Sequence, residues 1–127
     1  MPRKVYIKEL IESKTNLKLI SFHMSSACHE PIVSKYGICQ CGGKVYSRHE
    51  MCDNAESNIA WIRSFLDSDI DIAIENNNYY PTSAYNDITE GDFISNIVKM
   101  NNTYFLFDIA HAIVTACNKG LSSMPFP

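Results

Sequence analysis

The chain has 127 residues, 46% of them hydrophobic, which suits one ordinary domain with a core of its own. Its 11 Lys and Arg against 14 Asp and Glu give a net charge of −3 with no clustered basic face, which argues against a nucleic-acid partner. No stretch approaches the roughly 18 apolar residues that cross a bilayer, and "MPRKVYIKELIESK" lacks the apolar core of a secretory signal. The expectation is a single domain over 1–127, in the cytoplasm, without a membrane or nucleic-acid partner.

In chain order, "VYIKELIESKT" reads as a short amphipathic helix and "LKLISFHM" (17–24) as a strand ending at His23. Residues 25–47 carry Pro31, Gly37, Gly42 and Gly43 without a clear period, and are expected to be a long loop. Ser47 stands three residues before Glu50, as in a capping box. Met51, Ala55, Ile59, Ile62 and Leu66 then recur at spacings of three and four, so 47–68 is a helix. "IDIAIEN" (70–76) is β-branched and apolar, a strand covered on both faces that ends at Glu75. After the loop "NNYYPTSAYND", Thr89 and Asp92 are expected to cap a helix over 89–100. "YFLFDIAHA" is expected to be another buried strand, with Asp108 near its end. A helix over 111–118 follows and stops at Gly120.

Strands alternating with helices imply an α/β fold with a parallel sheet. His23, Glu75 and Asp108 each fall at the carboxyl end of a strand, the edge where parallel α/β folds place their chemistry. Adjacent strand ends lie about 4.8 Å apart, so these residues, with His111 one turn beyond Asp108, can converge on one ion. Two imidazoles and two carboxylates suit iron, zinc or manganese rather than calcium. Each residue also has an ordinary reading: His23 as a hydrogen-bonded strand end, and Asp108 as the cap of the helix that follows.

The five cysteines are an odd number, and the chain shows no signal peptide, so free thiols or metal ligands come before disulfides. Cys28, Cys39, Cys41 and Cys52, flanked by His29 and His49, offer a rival zinc site, although the usual Cys-x-x-Cys pairs are absent. Cys52, on the apolar side of its helix, and Cys117 are most simply read as buried thiols. Tyr79, Tyr80 and Tyr85 lie above the expected site, either packed over its mouth or forming a substrate wall.

"IAIENNNYYP" and, after a helix, "FLFDIAHAIVTACNKG" resemble the xylose-isomerase-like TIM-barrel superfamily, and most of all its multinuclear non-heme iron oxidative enzymes. The resemblance implies metal ligation by Glu75, Asp108 and His111, and by His23 through the shorter "SFH" match. Glu75 would also be catalytic. Asn76 and Asn118 would support the ligands or touch the substrate, together with Tyr79 and Tyr80. It implies a divalent metal, iron first, with zinc or manganese as alternatives, and a peptide or small-molecule substrate. A full barrel takes about 250 residues, so the expectation is a partial TIM barrel, about half, that pairs with a complementary chain or with itself. The competing readings are a sugar isomerase or epimerase, a phosphodiester-cleaving enzyme disfavoured by the acidic balance, and a non-catalytic assembly module.

Overall fold

The computed structural model describes residues 2–24 and 26–120. Residues 121–127 lie outside the described residues.

A three-stranded parallel sheet is built from β1 (Leu19–His23), β4 (Asp71–Glu75) and β5 (Tyr104–Leu106), in that spatial order. Parallel neighbours require long crossovers. Helix α2 (Arg48–Arg63) lies between β1 and β4 in the chain, and α3 (Gly91–Met100) between β4 and β5. Helix α1 (Pro2–Glu12) precedes the sheet and α4 (Ile109–Asn118) follows it. The architecture is that of adjacent units of a TIM-barrel-type α/β domain, as expected.

β4 is the centre of the sheet because its sequence is apolar on both faces. Ile72, Ala73 and Ile74 are all buried, and Ile72 and Ile74, on one face, share a cluster with Met51, Ala55, Ile59 and Ile62 of α2 and Phe93, Ile94 and Ile97 of α3. Phe93 and Ile97 are completely enclosed. Arg48 at the start of α2 joins the two helices: its guanidinium donates to Asp87 and Asp92 and lies over the Phe93 ring.

The Ser47 hydroxyl accepts from Glu50 N–H at 3.1 Å and the Glu50 carboxylate accepts from Ser47 N–H at 3.1 Å, so the first capping box forms. The second does not. Helix α3 starts at Gly91 with Glu90 in the cap position and no side-chain cap. Asp92 is drawn instead to Arg48, at 2.9 Å, a charge-assisted bond stronger than a neutral cap. The Thr89 hydroxyl is left buried without a partner.

The expected loop over 25–47 contains an antiparallel hairpin. β2 (Pro31–Val33) pairs with β3 (Cys39–Cys41), and Cys28 bridges Val45 beyond them. Ser34 N–H donates to Ile38 C=O across the tip, where Gly37 takes a φ of +80°, open to glycine at little cost. Gly42 is also required: a Cβ there would sit 2.6 Å from the Glu30 carbonyl oxygen. The hairpin packs on the core through Cys39 and Cys41, and Tyr85 fixes it by accepting from Cys39 N–H at 3.0 Å.

β5 departs from the buried strand read in the sequence. Its three residues are exposed, as are Phe107 and Ile109 beyond it. The cause is topological, since β5 is an edge of the sheet and has β4 as its one partner among the described residues. For the same reason α4 buries no residue completely, and Cys117 is exposed rather than in the core. Phe105 and Phe107 line an apolar groove of about 450 Å³ between α3 and α4, floored by Val98, Ala112 and Ala116.

Candidate metal centre

The pairing register aligns the carboxyl ends of the strands. His23 is opposite Glu75, and Glu75 is opposite Leu106, so β1, β4 and β5 end level with one another. The chain leaves β5 through Phe107 and starts α4 at Ile109, which puts Asp108 in the cap position just above that edge.

Asp108 is both a cap and a candidate ligand. Its Oδ1 accepts from His111 N–H at 2.9 Å, while Oδ2 lies 3.5 Å from His111 Nδ1. The same His111 nitrogen is 3.7 Å from Glu75 Oε1. One ligand-type atom from each of Glu75, Asp108 and His111 falls within 4.8 Å of the other two, the one such trio among the described residues. All three side chains are partly covered, from 19% exposed for Glu75 to 30% for Asp108. The site is therefore reachable from solvent yet shielded enough for charge to matter. The His111 backbone N–H, above all, holds the Asp108 carboxyl below the usual carboxylate range, against the opposing effect of burial. Two carboxyl groups side by side with an imidazole favour a shared proton or a cation between them. Their oxygen and nitrogen donors fit a divalent transition ion.

His23 is brought to the same edge but not into the trio. Its ring centre is 6.4 Å from that of His111, edge to face, and its Nδ1 lies 3.3 Å from the Met24 carbonyl oxygen and 3.4 Å from the Asn77 amide nitrogen.

The residues read as substrate contacts are engaged with the protein. The Asn76 amide is bonded at both ends to the Asp108 backbone. Asn118 donates to the Tyr79 carbonyl at 2.5 Å, Thr115 Oγ1 accepts from Tyr79 N–H at 3.0 Å, and the Lys119 ammonium lies over the Tyr79 ring. Helix α4 thus clamps the loop that leaves β4. Tyr80 stacks edge to face on Tyr85, and Tyr85 is core. Thr115 and Asn77, which also hold this loop, were not singled out in the sequence, since neither residue type at its position carries a local signal.

The cysteine segment gathers no metal site among the described residues: no three of its thiols and imidazoles converge as Glu75, Asp108 and His111 do. All five cysteines are free. Cys28 is buried, and burial, with a hydrogen bond to Cys41 next in weight, pushes its thiol up to about 11.

Comparison with curated proteins and with solved structures gave no match. Comparison with protein families matches residues 7–126 to the family described as RiPP precursor modification enzyme MbnB/TglH/ChrH. That family consists of multinuclear non-heme iron enzymes of the xylose-isomerase-like, TIM-barrel type, and it acts on ribosomally made peptide precursors. With nearly its whole length matched, the chain belongs to the MbnB/TglH/ChrH family of RiPP precursor modification enzymes.

Proposed function

We propose that Glu75, Asp108 and His111 hold a divalent metal, iron in the working protein, and that the chain takes part in oxidative modification of a peptide precursor. The convergence of the three side chains at the carboxyl edge of the sheet carries this reading. Iron bound there would supply redox chemistry and open coordination positions for oxygen and substrate. The protein's own part is to present the Glu75 and Asp108 carboxyl groups and the His111 imidazole in a fixed arrangement at a partly water-shielded edge. Glu75, the least exposed of the three, is also the residue this reading makes catalytic. His23, at the same level on β1, belongs to this reading as a further ligand brought in from the side.

The family match favours a peptide substrate over a sugar. The assembled trio favours a working site over a purely structural module. Oxygen uptake by iron-loaded protein, with mass spectrometry of a mixed pool of ribosomally made peptides, tests the reading. A peptide mass change that requires oxygen and disappears in Glu75→Gln is expected. The same change at undiminished rate in Glu75→Gln would contradict it.

A further inference from the structure

β4 and β5 are last paired at Glu75 and Leu106, yet the connection between them continues one step further through a side chain. Asn76 Nδ2 donates to the Asp108 carbonyl at 2.9 Å, and Asn76 Oδ1 accepts from Asp108 N–H at 2.6 Å. An amide is the one side-chain group that offers a donor and an acceptor in the geometry of a peptide unit. The Asn76 side chain therefore stands in for a strand residue and adds a rung to the ladder at the point where Asp108 must be held.

The Asn76 backbone makes a second contact with the site. Its carbonyl oxygen lies 2.8 Å from His111 Nδ1. The Asn76 carbonyl thus meets the same ring nitrogen that faces Glu75 and Asp108, and fixes where the His111 ring sits at the carboxyl edge.

We infer that Asn76 is a positioning residue for the Asp108 and His111 half of the metal site, its side chain setting the Asp108 backbone and its carbonyl holding the His111 ring. The inference rests on the metal reading above. Alanine removes both side-chain bonds. Aspartate keeps the acceptor for Asp108 N–H but turns a carboxylate oxygen toward the Asp108 carbonyl. Neither replaces the amide.

The test is titration of the full chain with Co(II), followed by its visible d–d absorption, in the wild type, Asn76→Ala and Asn76→Asp. Asn101→Ala serves as the control for lost stability. Asn101 is the buried asparagine at the end of α3, where it bonds Ile97 C=O and touches none of the site residues. The expected result is Co(II) affinity lowered roughly 10- to 100-fold in Asn76→Ala, the range for residues that orient a metal ligand, with an altered d–d band. Asn76→Asp should fall between Asn76→Ala and the wild type, and Asn101→Ala should keep wild-type affinity and spectrum. Wild-type affinity and spectrum in Asn76→Ala would overturn the inference while leaving the metal reading intact. Should Asn76→Ala fail to fold, unaltered binding by Asn76→Asp would overturn it in the same way. A wild type that takes up no Co(II) would instead remove the metal reading itself, and the inference with it.

Discussion

Asp108 divides its two carboxylate oxygens between two tasks on the same residue: Oδ1 caps the His111 backbone N–H at 2.9 Å, and Oδ2 faces the His111 ring nitrogen at 3.5 Å. Capping and ligation were alternatives in the sequence. The geometry makes them compatible, because a residue in the cap position of α4 is also at the carboxyl edge of the sheet.

The two tasks separate by substitution. Serine can cap a helix but offers a poor metal ligand. Without added metal, Asp108→Ala should lose about 1 kcal/mol of stability and Asp108→Ser much less. Thermal melts with and without Co(II) should show a metal-dependent rise in the wild type and in neither variant. A full rise in Asp108→Ser would mean that the carboxylate is not a ligand.

The exposed edge gives a second contrast. Phe107 is 60% exposed, although it comes from a run read in the sequence as a buried strand, and Ile97 on α3 is fully buried. Phe107→Ala should shift stability by no more than about 0.5 kcal/mol, while Ile97→Ala should cost roughly 2 to 5 kcal/mol. Urea unfolding measures both. A loss at Phe107 comparable to that at Ile97 would show that the β5 face is covered.

Cys28 makes stability depend on alkaline pH. Its thiol rises from the ordinary 9.0 to about 11, chiefly through burial. The folded state thus favours the protonated thiol. The associated stability is complete below pH 9 and is lost as pH climbs from about 9 to about 11, where the unfolded chain alone releases its proton. The stability difference between wild type and Cys28→Ala, taken from urea unfolding, should therefore shrink across that window. A difference that stays constant or grows would contradict the buried thiol.

What the sequence revealed and what it hid follow from the range of the interactions. The Ser47–Glu50 box, the α2 stripe and the end of β4 at Glu75 depend on residues a few positions apart, and all three were legible. The second capping box failed because Arg48, 44 positions before Asp92, competes for its carboxylate. The β2–β3 hairpin was missed because its strands have three residues each, too short to show a period. "SKYGI" at its tip, with Gly37 in a left-handed turn, was the available signal. The apolar run at β5 indicated a strand correctly but not its place in the sheet, which depends on neighbours outside that run. In the site, Glu75, Asp108 and His111 were readable from spacing and strand ends. The roles of Asn76 and Asn118 in bonding the backbone of α4's first residues and of the loop after β4 were not, since they arise from contacts 32 and 39 positions apart.

The central claim, a metal held by Glu75, Asp108 and His111, is tested most directly by the metal content of protein purified without oxygen. Elemental analysis of the wild type should find iron at one equivalent or more, and the Glu75→Ala/Asp108→Ala double variant should have lost it while keeping its helical circular dichroism. Iron retained in a folded double variant, or a wild type that holds no metal after reconstitution with Fe(II), would contradict the claim.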